Sequence, residues 1–309
     1  MNKITAILLA LVMLVGGFVG GFVVGTKDVD EYSPYEVIYA NFDKMSPQEK
    51  VDYYKSVLKA ETSPSQVKYL MEQILDEPSI DNDVKNNVFA FYLNHVQYYM
   101  STYSNFVSLY SSIMTNNMST INYEEASASE KINDQVLKTI IEEIYESDMM
   151  IKMPDSTSGD PYVIVDYDKL EESYGSMYNK ATKNYIIFKE IVQNGELSNA
   201  DGSYNMEKVR DYILMANEYI LAYENYPLIS DIIYSYILGA KMYLGIYSFE
   251  AEFIPDADTI EDYKMFIEEN PDTPIAPIVK AIIEKAENGE KITATDASNW
   301  NKEIDALLG

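Results

Sequence analysis

Apolar residues recur three or four positions apart along most of the chain after residue 45, a spacing that predicts helices almost to the C-terminus. Two helix starts carry the same signature. Ser46-Pro47-Gln48-Glu49 sets an N-cap hydroxyl, a first-turn proline and a capping-box glutamate ahead of Val51, Tyr54 and Leu58. Ser63-Pro64-Ser65-Gln66 repeats that signal ahead of Val67, Leu70, Met71, Ile74 and Leu75. The strongest run is Val84, Val88, Phe91, His95, Tyr98, Thr102, Phe106, Leu109 and Ile113, which predicts one long helix. Ile132 to Ile144 gives another, and Leu170 to Val192 a second long one. Between these last two, Asp155 to Pro161 reads as a loop. It leads into Tyr162–Val165, a β-branched run between Pro161 and Asp166 and the one short strand the pattern supports.

Asn194-Gly195 is a helix-stop signal, and Asn199 to Tyr204 is a polar turn around Asp201-Gly202. A helix from about Met206 to Asn225 follows, and Pro227 opens another through Phe249. This last one is apolar nearly all round and is therefore expected to be buried. Asp231 and Lys241, with Tyr234, Tyr236 and Tyr243 across its middle, argue against its crossing a membrane. Three shorter helices are expected near Thr259 to Glu269, Pro274 to Asn288 and Thr295 to Leu308.

A different pattern opens the chain. Ile4 to Val24 is an uninterrupted apolar stretch, long enough at ~1.5 Å per helical residue to cross a ~30 Å hydrocarbon layer. Lys3 before it and the acidic cluster Asp28, Asp30 and Glu31 after it favour an inside N-terminus and an outside body. The expectation is a single-pass cell-membrane anchor with the C-terminal region extracytoplasmic; the alternative is a signal peptide cleaved near Gly25, with secretion of the rest. Gly16, Gly17, Gly20, Gly21 and Gly25 provide the four-residue glycine spacing that lets membrane helices approach, and so a candidate face for homo-oligomers. The same glycines also suit an ordinary membrane segment.

Fold class and organisation follow. The chain reads as all-α: an N-terminal membrane helix, then an irregular helical bundle or helical-hairpin array with at most one short strand segment. Residues 1–27 form the anchor or signal peptide and 28–45 a linker. Residues 46–250 make the main helical domain and 251–309 a C-terminal helical subdomain. The string Met265-Phe266-Ile267-Glu268-Glu269-Asn270-Pro271-Asp272-Thr273-Pro274, continuing through Ala276 and Ala281 to Ala286, resembles the turn and second helix of a tetratricopeptide-type hairpin. That resemblance implies antiparallel helix pairs whose concave face binds a peptide or protein.

Charge narrows the partners. Acidic residues number 50 against 23 basic ones, a formal charge of −27, and Arg210 is the single arginine. Such a surface repels phosphate backbones and anionic lipids and lacks the forked donors that nucleic-acid binders use, so nucleic acid is excluded as a partner. With no cysteine there are no disulfides, thiolate metal sites or cysteine nucleophiles.

No catalytic, cofactor or metal residues can be assigned from the sequence. His95, the lone histidine, falls on the apolar stripe of the long helix, where it reads as a core residue bonded to a tyrosine or carboxylate. Nucleotide-binding and serine-nucleophile motifs are absent. Asn199, Asp201 and Gly202 match part of a calcium loop, but Leu197 and Lys208 stand where carboxylates are needed. Asp256, Asp258, Glu261 and Asp262 cluster without the loop glycine, and both segments read as turns or caps. Glu146-Ser147 and Glu172-Ser173 resemble the Glu-Ser of lysozyme-like transglycosylases, with nothing downstream to match.

The 28 tyrosines are the most unusual feature of the composition. Tyr212, Tyr219, Tyr223 and Tyr226 share one helical stripe, and Tyr236, Tyr243 and Tyr247 another. Such stripes make either core or an aromatic binding groove. The expected function is a membrane-anchored, extracytoplasmic interaction or scaffold protein with a protein or peptide partner. The alternatives are a secreted glycan hydrolase using paired carboxylates and a small-ligand binder with a tyrosine-lined pocket.

Overall fold

The computed structural model describes residues 42–58, 62–154, 159–246 and 252–306. The apolar stretch Ile4 to Val24 with its five glycines, most of the 28–45 segment, and Tyr247 lie outside the described residues. Among those described, no helix is long and apolar enough to cross a membrane. The fold is mostly helical, with one small two-stranded sheet. It divides into two compact units between Asp166 and Tyr167.

The first unit contains α1 (Pro47–Val57), α2 (Pro64–Leu75), α3 (Asn82–Leu109), α4 (Ser111–Asn117), α5 (Gln135–Glu146), β1 (Met149–Lys152) and β2 (Tyr162–Val165). The capping box of α1 is formed as the sequence indicates: Glu49 N–H donates to the Ser46 hydroxyl, and Ser46 N–H donates to the Glu49 carboxylate at 2.8 Å. At α2 the proline start holds, but the Ser63 hydroxyl makes no cap bond. Helices α1 and α2 pack together, α3 packs against α2, α5 and β2, and α5 against α2 and β1. Tyr54 ties α1 to α3 by donating to the Val88 carbonyl at 3.0 Å.

Two expectations change here. The buried stripe of α3 is Val88, Phe89, Tyr92, Leu93, Val96, Tyr103 and Val107. It is displaced from the predicted stripe, whose Val84, Tyr98, Leu109 and Ile113 are exposed. Because α3 is apolar on adjacent faces, spacing alone does not say which of them meets α2 and α5. The helix also breaks at Tyr110, whose backbone leaves the helical region (φ −99°, ψ 8°), although Val107 before it and Met114 after it are both buried. Secondly, Tyr162–Val165 is a strand as expected, but it pairs antiparallel with β1, in register Met149 to Val165. The pattern did not single out Met149-Met150-Ile151-Lys152, in which Ile151 is the one β-branched residue.

The second unit contains α6 (Tyr167–Tyr174), α7 (Lys180–Gln193), α8 (Met206–Ala222), α9 (Ile229–Tyr243), α10 (Ala257–Glu269), α11 (Ala276–Glu287) and α12 (Ala294–Asp305). What the spacing joins from Leu170 to Val192 is two helices. A 3-10 turn at Gly175–Met177 intervenes, and Asn179 restarts the chain by accepting Thr182 N–H at 2.8 Å. Helix α8 packs on α7 and α9, α9 on α12, and α10 on α11. A Cβ at Gly239 would lie 3.2 Å from the Ile213 side chain, so glycine sets how closely α8 and α9 approach. The charges of apolar α9 are both partnered. Asp231 accepts from Tyr185 and Lys189 at 2.7 and 2.8 Å, and Lys241 pairs with Asp305 at 2.6 Å.

Asn194-Gly195 ends α7 as expected. Helix α9 stops at Tyr243, short of the predicted Phe249, because Gly245 turns the chain left-handed at φ +67°. Gly245 N–H then bonds to Met242 O and Ile246 N–H to Lys241 O, both at 3.1 Å, which completes a Schellman cap.

Candidate functional site

The tyrosine stripes lie inside the second unit. Tyr212, Tyr219, Tyr226, Tyr236 and Tyr243 are each less than a tenth exposed, and Tyr223 is half-buried with its ring 4.8 Å from Tyr219. Their hydroxyls find partners, as buried phenols must. Tyr219 donates to the Ala181 carbonyl, Tyr226 to the Thr182 hydroxyl, and Tyr236 meets the Thr273 hydroxyl. Tyr212 stacks on Phe188 with centroids 4.2 Å apart. Burial raises the pKa of Tyr212, Tyr219, Tyr226, Tyr236 and Tyr243, with Tyr226 and Tyr236 both pushed up to about 12. The described tyrosines of the stripes supply core contacts within the second unit.

One of these tyrosines nevertheless reaches a pocket. The start of α8 (Met206, Glu207), the end of α9 (Tyr243, Leu244, Gly245), the Phe253 and Pro255 segment, and the first half of α10 (Asp258, Thr259, Asp262, Tyr263) enclose about 390 Å³. Phe253 is anchored by a backbone bridge to Ile292, at 2.9 and 3.3 Å. The Schellman cap at Gly245 turns the chain away after α9 and leaves the Phe253 ring against the glycine, 3.5 Å from where a Cβ would stand.

The pocket is framed by a fixed polar joint. Asp262 accepts from Arg210 at 2.6 Å on one oxygen and from the Tyr243 hydroxyl at 2.6 Å on the other. Tyr263 donates to the Tyr243 carbonyl at 2.9 Å. Burial works against the Arg210 charge, but Asp262 and Asp211 outweigh it and leave the guanidinium pKa raised. The chain's one arginine thereby locks α8 to α10, and both oxygens of Asp262 are engaged. Glu207 and Asp258 are exposed and make no ion pair with a described residue.

The predicted calcium-like segments take local roles. Asp201 accepts both the backbone N–H and the hydroxyl of Ser203 in a tight turn, at 2.9 and 2.6 Å. Asp256 caps α10 through Thr259 N–H at 2.8 Å. Among the described residues, no group of three or more histidine or acidic side chains is placed to hold a metal ion.

A second polar cluster occupies the first unit. Asp148, the only described non-glycine residue at positive φ (55°), is fully buried where α5 turns into β1. Its carboxylate accepts from Lys68 at 2.6 Å and from the Tyr92 hydroxyl at 2.9 Å. Beside it, the part-buried Glu143 accepts Ser65 N–H and hydroxyl at 3.0 and 2.6 Å, and the Ser147 hydroxyl at 3.0 Å. Burial raises the Glu143 pKa against those hydrogen bonds. These bonds fasten α2 and α3 to the corner between α5 and β1. Ser147 is inside this cluster, while Glu146, Glu172 and Ser173 are exposed.

His95 is buried as expected, though its partner is neither a tyrosine nor a carboxylate. Nε2 lies 2.8 Å from the Thr62 carbonyl, which can only accept, so the proton sits on Nε2. Burial lowers the imidazole pKa and favours the neutral ring.

Of the residues selected from the sequence, Tyr243 of the tyrosine stripes and Asp258 and Asp262 of the acidic cluster line the pocket, while Glu207, Phe253 and Tyr263 were not singled out. The acidic run around Asp258 and Asp262 and the solitary Arg210 were the available signals. Together these features define a helical protein of two units with a side pocket in the second. No family model, curated protein or solved structure matches the chain.

Proposed function

We propose that the chain is a membrane-anchored, extracytoplasmic interaction or scaffold protein, held by Ile4 to Val24, whose second unit binds a protein or peptide partner. The observation that carries this reading is the 390 Å³ pocket between α8, α9 and α10. Its walls join aromatic and aliphatic surface to a few fixed polar groups, the usual constitution of a binding site. Helix α10 belongs to the hairpin with α11 that contains the tetratricopeptide-like string at residues 265–286, a resemblance that fits peptide recognition. The same pocket supports a second reading, a small-ligand binder, because Tyr243 and Tyr263 line it and its volume lies in the range of small-molecule sites.

A photoreactive phenylalanine analogue at Thr259 tests the proposal, with the same analogue at exposed Tyr98 of the first unit as control. Irradiation of intact native cells should give a discrete polypeptide adduct from position 259 and none of that size from position 98. An unmodified chain that co-purifies with a small organic molecule would favour the second reading. Identical adducts from both positions would overturn the assignment of binding to this pocket.

A further inference from the structure

Charge separates the floor of the second unit's pocket from its mouth. Phe253, Tyr243, Leu244 and Pro255 provide apolar surface, while Glu207 and Asp258 stand exposed at the first turns of α8 and α10. No lysine or arginine is among the described residues that line the pocket. Arg210, which reaches the lining residue Asp262, is committed to it at 2.6 Å and faces Asp211 at 3.7 Å. An anionic ligand would meet like charges there and across a chain of formal charge −27. A neutral apolar ligand would fill the floor and leave the two carboxylates without a partner.

We propose that the pocket takes an organic cation on an apolar stem, with the stem over the aromatic floor and the charge between Glu207 and Asp258. In a peptide partner this group is a lysine or arginine side chain, whose aliphatic carbons bury while the charged head stays at the wet mouth. Aromatic walls add a further attraction for cations. The inference rests on the pocket being the binding site. Because first-turn carboxylates also favour the helix dipole, binding must be measured separately from stability.

Met206 at the mouth is 40% exposed and gives a local probe. Full-length protein carrying ¹³C-methyl methionine is titrated with n-butylammonium and with the blocked peptide Gly-Gly-Lys-Gly-Gly, and in parallel with n-butanol and the norleucine peptide. The Met206 signal is assigned by Met206→Leu. The cations should shift it saturably and the neutral counterparts weakly. Glu207→Gln combined with Asp258→Asn should weaken the cations about fivefold, as expected for two exposed charge pairs, while circular dichroism stays unchanged. Tighter binding of the lysine peptide than of butylammonium identifies a peptide source, and equal binding a free amine; either result supports the cation. Neutral and cationic probes binding alike, or an unaffected double variant, would overturn the cation and leave the pocket as a binding site. Silence of the Met206 signal to every probe would overturn both.

Discussion

Replacing Asp148 with asparagine should unfold the first unit more easily than any surface change. The carboxylate is fully buried, 2.6 Å from the Lys68 ammonium and 2.9 Å from the Tyr92 hydroxyl. Asparagine keeps an acceptor for Tyr92 and tolerates the left-handed backbone at φ 55°, so the loss is chiefly that of the charge. Removing one partner of a buried pair costs about 3–5 kcal/mol because the other charge is stranded. Lys68 retains 15% of its side-chain exposure and can lean toward water, which places the cost near the lower end, about 3 kcal/mol. Urea unfolding of the full chain, followed by far-UV circular dichroism, measures it. Lys68→Met alone should cost a similar amount, and the double variant distinctly less than the sum of the two. Asp148→Ala should lose roughly a further 1 kcal/mol for the backbone. A cost under about 1 kcal/mol for Asp148→Asn, or strict additivity in the cycle, would refute the view that this pair secures the α5–β1 corner.

Gly245→Ala should cost about 1 kcal/mol because φ +67° disfavours a Cβ, and thermal unfolding should register it as a drop of about 3 °C; an unchanged transition would show that the cap is not held in this conformation. His95 makes a prediction about pH. Its folded pKa lies below the ordinary 6.5, so the unfolded chain binds its proton first, and stability falls as pH drops from about 6.5 toward the folded value. The stability advantage of the natural protein over His95→Gln should therefore shrink between pH 7.5 and pH 5; parallel curves would mean that the ring is not buried neutral.

Local signals in the sequence translated well because each is closed within a few residues. The Ser46 and Glu49 box, the proline starts at Pro47 and Pro64 and the Asn194-Gly195 stop need no knowledge of distant neighbours. Where tertiary contact decides, the pattern was ambiguous. Helix α3 carries more apolar residues than one face can hold, and contact with α2 and α5 selects Phe89, Tyr92 and Val96 over Tyr98 and Leu109. Spacing could not show the interruption at Gly175 to Asn179, since apolar periodicity continues across it. Strand β1 has little intrinsic signal and exists through its pairing with Tyr162–Val165. The tyrosines were legible as stripes, but whether a stripe faces a core or a groove depends on the helices laid against it. The pocket was the least legible feature: it joins four stretches between Met206 and Tyr263 whose separation in sequence follows no motif.

One labelling measurement tests the proposed extracytoplasmic body and its partner site in the second unit's pocket together. Because the chain contains no cysteine, a single introduced one reports its own surroundings. Met206→Cys at the pocket mouth is compared with Leu221→Cys, at a site 76% exposed on the same helix. A membrane-impermeant thiol reagent is applied to intact native cells and to the purified full-length chain. Both cysteines should react in intact cells, with position 206 markedly slower there than in the purified protein and position 221 equally fast in both. Reaction only after the membrane is permeabilised would contradict the topology, and equal rates at position 206 in cells and in isolation would contradict an occupied pocket.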